Sequence, residues 1–322
     1  MAPYFSVIIP NWNGRYHLQE CLDSLETLTC RDFETILVDN GSTDGSVEFV
    51  RERWPETRVV ALPENVGFAA GVNRGIESSR GEFVVLLNND TQVAPHWLKN
   101  LAAAIEENTD VWIFASRLLN YYERNVIDSA GDAFDLLRGP YKIGECARLG
   151  NFSERSFIFG ACGGGGCYKR ELFDRIGLFD EDFFAYFEDI DLSFRANWAG
   201  FRCLLVPDAV IYHKVGGTSD ANRANRDRFD IMRRRNYIFL IVKNYPVEFQ
   251  VKYFPFIFAT HCLKFLANLM RGRFRVAFVT QWEIVKGLRK MFGKRQSIMA
   301  GRRITNAQMK SRCVPKHGGC GA

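Results

Sequence analysis

The sequence predicts an α/β protein whose mostly parallel central sheet is flanked by helices, continued at its C-terminus by a helical, membrane-associating extension. Three observations carry this. Apolar runs alternate with segments of helical spacing over the first 115 residues. An Asn-, Gly- or Asp-rich loop follows most of those runs, where ligands bind in parallel sheets. Beyond residue 241 the pattern becomes apolar, aromatic and basic.

The strand-like runs fall at 4–9, 35–38, 58–62, 82–87 and 111–115, and the first intervening helix shows the spacing Leu18, Cys21, Leu22, Leu25. The middle of the chain, 116–225, is less periodic and holds two loop-like stretches, 139–151 and the glycine run 160–166. A further helix is predicted to start near Asp189, with Ile190, Leu192, Phe194 and Trp198 towards its apolar side. The stretch 254–270 is apolar but interrupted by His261, Lys264 and Asn268. Phe278, Trp282, Val285 and Phe292 then recur at helical spacing among Lys286, Arg289 and Lys290. That reads as basic amphipathic helices on a membrane surface, against the alternative of helices packed on the protein body. The expected division is 1–240 as an α/β domain in two halves, 1–115 and 116–240, then 241–300 as the amphipathic extension and 301–322 as a basic, disordered tail.

Composition sets limits. With 322 residues, 47% hydrophobic and 25% charged, the chain has ample material for a core, and disorder, collagen and a disulfide scaffold are excluded. No run of about 18 apolar residues suggests a membrane span. The N-terminus has no basic segment before its first strand, so a cytosolic protein is expected. Residues 267–322 hold thirteen Lys or Arg and one acid, Glu283, a balance of +12, which leaves −7 on the rest. An acidic body with a basic end suits a polyanionic surface, membrane lipid or nucleic acid, and no nucleic-acid motif accompanies it. The nine cysteines are expected as reduced thiols. Cys313, His317 and Cys320 lie close in sequence, but three ligands on a Gly-rich end make a poor structural metal site.

The chemistry-bearing segments stand at strand ends. Pro10-Asn11-Trp12-Asn13-Gly14 and Asp39-Asn40-Gly41-Ser42-Thr43-Asp44 are turn sequences, and as a pair can also present a carboxylate and backbone groups to a nucleobase. Asn65-Val66-Gly67-Phe68 with Gly71, Asn73, Arg74 and Gly75 allows a helix N-terminus to approach a diphosphate with Arg74 as counter-charge, or allows close helix–sheet packing. Asn88-Asn89-Asp90 offers oxygen ligands suited to Mg²⁺ or Mn²⁺, although a lone Asp there is more often a cap. Between Phe179 and Leu192 six carboxylates stand among five aromatics. Carboxylates beside apolar rings hold their protons more tightly, which suits a general base. His213 follows a later strand, beside Lys214. Arg233-Arg234-Arg235-Asn236-Tyr237 is either a phosphate-contacting run or a solvated helix face.

In order, Val7-Ile8-Ile9-Pro10-Asn11, Val38-Asp39-Asn40-Gly41-Ser42, Asn65-Val66-Gly67-Phe68, Leu87-Asn88-Asn89-Asp90, Gly177-Leu178-Phe179-Asp180-Glu181, Tyr186-Phe187-Glu188-Asp189-Ile190-Asp191-Leu192 and His213 resemble a family 2 glycosyltransferase of the Rossmann-like GT-A fold. The resemblance spans about residues 4–240 and is greatest to the rhamnosyltransferase-like branch that builds surface polysaccharides and cell wall. It implies inverting transfer of rhamnose or a hexose from a dTDP or UDP donor to a lipid-linked or polysaccharide hydroxyl, at the inner face of the cell membrane. Pro10, Asn11, Asn13, Asp39, Asn65 and Asn89 would then bind the nucleotide sugar, with Gly71, Asn73 and Arg74 on the diphosphate side. Asp90 and His213 would hold a divalent cation, Mg²⁺ or Mn²⁺. Asp189 would be the general base, followed in order of preference by Glu188 and Asp191. The usual Asp-x-Asp reads Asn88-Asn89-Asp90 here, which predicts weaker cation binding. A nucleotidyltransferase of similar sheet and a non-catalytic glycan- or nucleotide-binding subunit are the alternatives.

Overall fold

The structure, a computed structural model, describes residues 2–214 and 223–313. Its strands are β1 (Phe5–Asn11), β2 (Phe33–Asp39), β3 (Arg58–Ala61), β4 (Phe83–Leu86), β5 (Thr91–Val93), β6 (Ile113–Asn120), β7 (Ile127–Ser129), β8 (Asp132–Asp135), β9 (Gly139–Lys142), β10 (Ser156–Ile158), β11 (Gly166–Lys169) and β12 (Cys203–His213). Its helices are α1 (Arg15–Glu26), α2 (Ser46–Arg53), α3 (Phe68–Ser78), α4 (Trp97–Glu107), α5 (Glu171–Ile176), α6 (Glu188–Trp198), α7 (Arg223–Asn244), α8 (Val247–Met270), α9 (Phe274–Ala300) and α10 (Asn306–Cys313).

One ten-stranded sheet runs β10-β12-β6-β11-β4-β1-β2-β3, with β5 on β12 and β7 on β6. β1, β2, β3 and β4 are parallel, as the alternation predicts, and β6 pairs parallel with β12. All four residues of β4 are buried because helices cover both faces of the sheet. α1 and α4 pack on one face, burying Leu18, Cys21, Leu22 and Leu25; α3, α5 and α6 contribute to the core on the other face.

Sheet order adds what local pattern omits. β11 inserts antiparallel between β4 and β6, so residues from both predicted halves interleave in one sheet. The boundary expected at 115 falls inside β6. Part of the loop expected at 139–151 is β9, which finds an antiparallel partner in β8.

The C-terminal region forms a third core with α6. Phe194, Trp198, Phe239, Tyr245, Met291, Met309 and Cys313 meet there. The expected disordered tail is therefore corrected for 301–313: α10 is a helix, Met309 and Cys313 are buried, and Arg312 donates to the Asn197 and Phe201 carbonyls. His317 and Cys320 lie outside the described residues. The eight described cysteines are free thiols. α9 packs on α7 so closely that a Cβ at Gly287 would lie 2.1 Å from the Phe239 ring. Its other face leaves Phe274, Phe278, Trp282 and Val285 more than half exposed, as does much of α8. The packed reading therefore holds for one face of these helices, while the other has no cover among the described residues. Among the described residues no helix is long and apolar enough to cross a membrane.

Candidate active site

Parallel pairing sets the ends of β1 and β2 level, with Asn11 opposite Asp39. Asn11 Nδ2 donates to Asp39 Oδ2 at 3.0 Å, and Asn89 Nδ2 donates to Asn11 Oδ1 at 2.7 Å. The Ser42 amide donates to Asp39 Oδ1 at 2.9 Å. These three buried side chains, from three strand ends, form one polar chain at the carboxyl edge of the sheet. Asn13, in the left-handed region at φ 51°, receives the Thr43 N–H and donates its own N–H to Ser42, so the first two loops are stitched together. Gly14 permits this: a Cβ there would lie 2.1 Å from Asn89 Nδ2. Pro10, half-buried, directly precedes Asn11 at the end of β1.

The third loop is tied to the second by Asn40, whose carboxamide bonds Asn65 Oδ1, the Gly67 carbonyl and the Val66 N–H. In α3 the two readings separate by residue. Gly75 packs on Ile8 and Val38, as helix–sheet packing requires, and Gly71 lies against Asn40. Asn73 is committed elsewhere: it donates to the Phe179 carbonyl and accepts from the Phe179 amide, anchoring the segment before the acidic cluster. Arg74 lies on the helix surface in an exposed pair with Glu77.

Asp90 and His213 are distant in sequence and adjacent in space. β5 pairs antiparallel with β12, His213 opposite Thr91, and the Lys214 N–H donates to the Asp90 carbonyl. This register puts His213 Nε2 3.4 Å from Asp90 Oδ1. The other ring nitrogen, Nδ1, is 2.9 Å from Asp128 Oδ2, and Asp128 Oδ1 receives Lys142 Nζ at 2.8 Å. Burial favours the neutral imidazole, but the Asp128 and Asp90 carboxylates outweigh it and push His213 up to about 9. Asp128 and Lys142 were not singled out in the sequence. They lie in the weakly periodic stretch, and only sheet pairing brings them to His213.

The acidic cluster divides three ways. Asp189, half-buried in the first turn of α6, accepts from Gly163 N–H at 3.0 Å and from its neighbour Ile190 N–H at 2.8 Å; burial raises its proton affinity. Glu188 is buried with Oε2 unpartnered, and burial and then the Asp189 charge hold its carboxyl well above the ordinary range. Asp132, on β8, likewise buries an unpartnered Oδ2 and is raised by burial and Asp189. Asp191 faces away from both. It is fully buried and bonded to Arg195, Lys243 and Asn244, and although burial opposes its charge, Lys243 and Arg195 hold it ionised. The third choice of base is thus a structural ion-pair centre.

The glycine run predicted as a loop is the wall between these groups. A Cβ at Gly164 would meet the Asn88 amide at 2.8 Å, and one at Gly163 would touch Asp189 and Phe68. Backbone without side chains passes between the ends of β4, α3 and α6. Before α6, Phe184, Tyr186 and Phe187 all have positive φ, at 63°, 68° and 73°. Such strain persists only where surroundings over-determine it. Here Asn236 Nδ2 faces the carbonyls of Phe183, Ala185 and Tyr186 at 2.8–2.9 Å, and Ala69 N–H donates to the Phe184 carbonyl. The arginine run is therefore neither a phosphate clamp nor a solvated face throughout: Arg235 donates to the Asp182 and Phe183 carbonyls and Arg233 lies over the Tyr186 ring.

A mostly parallel central sheet flanked by helices is the GT-A architecture, and the chain is a glycosyltransferase of that fold. The mannosyltransferase PcManGT from Pyrobaculum calidifontis, solved with GDP-Man and Mn²⁺, shares the fold with a TM-score of 0.53 at 19% identity, over 94% of this chain and 86% of its own. The sequence model of glycosyl transferase family 2 matches residues 6–177, and the chain belongs to that family. The N-acetylglucosaminyl-diphospho-decaprenol L-rhamnosyltransferase of Mycobacterium tuberculosis is 29% identical over 274 residues, 74% of this chain and 85% of its own. A PGL/p-HBAD biosynthesis glycosyltransferase of Mycobacterium bovis is 31% identical over 235 residues, 68% of this chain and 80% of its own.

Proposed function

We propose that the chain moves rhamnose or a hexose from a dTDP or UDP donor to a hydroxyl of a lipid-linked or surface-polysaccharide acceptor, with inversion, at the inner face of a cell membrane. One observation carries the reading: Asn89, which closes the Asn11–Asp39 chain, adjoins Asp90 of the Asp90–His213 pair, and the bare backbone of the glycine run links this segment, at Asn88, to Asp189. The rhamnosyltransferase relative supports the lipid-linked acceptor.

In this reading Asn11 and Asp39 orient the nucleoside, with the loop at Gly67 and the α3 N-terminus behind the diphosphate. Asp189 accepts the acceptor's hydroxyl proton. The oxygen bonds the anomeric carbon from the face opposite the diphosphate, the carbon–diphosphate bond breaks with its electron pair leaving on the nucleoside diphosphate, and configuration inverts. Burial places Asp189 closer to the acceptor's needs than an exposed aspartate. Asp191 has no part in this step, and Asn73 and Arg74 contribute through α3 rather than through direct contact.

The site fits a divalent cation that would replace the proton which Asp90 and Asp128 favour on His213. Asp90 Oδ1 and His213 Nε2 converge, and Asp128 fixes the ring from behind so that Nε2 faces Asp90. Two protein ligands leave positions for phosphate oxygens, as Mg²⁺ and Mn²⁺ commonly take. When bound, the cation would neutralise charge developing on the departing diphosphate.

A thermal-shift panel of UDP, dTDP, GDP, CDP and ADP, each with Mn²⁺, Mg²⁺ or EDTA, tests the donor site. A ligand at a hundred times its Kd adds about 2.7 kcal/mol of stability. A cation-dependent shift with UDP or dTDP alone is expected; no shift with any nucleotide in folded protein overturns the reading. Membrane association is tested on the full chain, because α10 completes a core and its deletion would expose one. Phe278→Ser with Trp282→Ser should release the protein from phosphatidylglycerol vesicles, and unchanged sedimentation with them refutes this part.

A further inference from the structure

A cavity of about 520 Å³ lies between α7 and α9, against Phe184. It is of ligand size. Its apolar walls are Phe184, Ile231, Met232 and Val279; its available cations are Arg228 and Arg275, since Arg235, also in the lining, is committed to the Asp182 and Phe183 carbonyls. Two acids also line it, but neither is unopposed: Asp227 is paired with Arg273 at 2.6 Å, and Glu283 lies 3.8 Å from both Arg235 and Lys286. Arg275 has no ion-pair or hydrogen-bond partner among the described residues and is exposed, while Arg228 rests over the Phe184 ring, 5.3 Å from its centre. Guanidinium groups converging on a half-apolar cavity match a phosphate-bearing group with hydrocarbon attached.

The position of the cavity narrows this further. On α9 the lining residues Arg275, Val279 and Glu283 recur every four residues, and so do Phe274, Phe278 and Trp282 one position earlier. The two stripes are neighbours on the helix, about 100° apart. One edge of α9 thus joins an uncovered apolar stripe to a cationic cavity. At the cavity's other side stands Phe184, whose carbonyl binds Ala69 of the donor half and whose strained segment leads directly to Glu188 and Asp189.

We propose that this cavity binds the diphosphate of a lipid-diphosphate acceptor, with the lipid lying along the Phe274–Phe278–Trp282 stripe and the acceptor sugar directed past Phe184 towards Asp189. This rests on the lipid-linked reading above and gives that acceptor a site. Binding is measured on the full chain in EDTA, to silence the cation-dependent donor site, with geranylgeranyl diphosphate, geranylgeraniol and inorganic pyrophosphate as probes. Geranylgeranyl diphosphate should bind best, and Arg275→Gln and Arg228→Gln should each weaken it about tenfold. Cation-dependent nucleotide binding should be unchanged in both variants. Equal binding of geranylgeraniol removes the diphosphate from the proposal; equal binding of pyrophosphate removes the lipid. Undiminished binding in both variants moves the site elsewhere and overturns it. If these fail while wild-type protein still binds nucleotide with cation, only the acceptor cavity is refuted; if nucleotide binding itself is absent, the transferase reading falls.

Discussion

Asn236→Ala isolates the device that shapes the catalytic loop. Asn236 is fully buried, and its amide nitrogen faces three carbonyls of the strained 183–186 segment. A carboxamide nitrogen has two hydrogens, so the three contacts amount to about two full bonds. Each bond contributes about 0.5–1.5 kcal/mol net, and a buried carbonyl left unmatched costs about 1–3 kcal/mol. Relaxation of the positive-φ residues, each strained by about 1–3 kcal/mol, offsets part of that loss. The expected destabilisation is therefore about 2–4 kcal/mol, which a domain of ordinary stability survives. Activity should suffer more, because relaxing the loop shifts Asp189, and a displacement of about 1 Å costs on the order of a hundredfold in rate. Urea denaturation gives the first quantity and transfer kinetics on folded variant the second, with nucleotide-induced thermal shift as control. Asn236→Asp should be worse, since a carboxylate has no hydrogen to offer the carbonyls. A variant with unchanged urea midpoint and wild-type rate would falsify the clamp.

Asp189→Asn should abolish transfer while nucleotide binding persists; full turnover excludes Asp189 as the base. Because burial raises the Asp189 pKa and the base must be ionised, the rate should fall with acid at a pH above the ordinary aspartate value, seen as the acidic limb of a pH–rate profile. Asp128→Asn should weaken Mn²⁺ binding about 10–100-fold by loosening the His213 ring, read by Mn²⁺ titration in an electron paramagnetic resonance assay with nucleotide present; unchanged affinity means the ring needs no such support. Asp132→Asn should stabilise the fold at pH 7. The folded state holds the Asp132 proton above the unfolded pKa, so this acid's contribution to stability is lost as pH rises through its raised folded value, and the amide cannot ionise. Denaturation midpoints at pH 5 and pH 8 that keep the wild-type difference count against it.

Much of the site was legible because strand-to-helix loops are local. Asn11, Asp39, Asn89 and Asp90 each follow an apolar run, and parallel pairing alone makes those ends neighbours. Asp189 stood out as a carboxylate among aromatic residues. Arg74 and Asn73 were also visible, but a residue's type does not disclose its partner: Glu77 and the Phe179 backbone were already at hand. Asp191 shares a helix turn with Asp189, yet Lys243, 52 residues on, holds it in a buried ion pair.

The sequence by itself determined the alternation of strand and helix, the polar residues at the sheet's carboxyl edge, the acidic–aromatic segment and the two-faced basic helices. These follow from periodicity and from side-chain chemistry within a few residues. Tertiary structure alone decided that β11 lies between β4 and β6, that β5 carries Asp90 to His213, that Asp128 stands behind the ring, and that residues 301–313 close a core. Those contacts depend on strand order, register and helix packing between segments tens to hundreds of residues apart, where each residue's environment is set by neighbours that the local pattern does not contain.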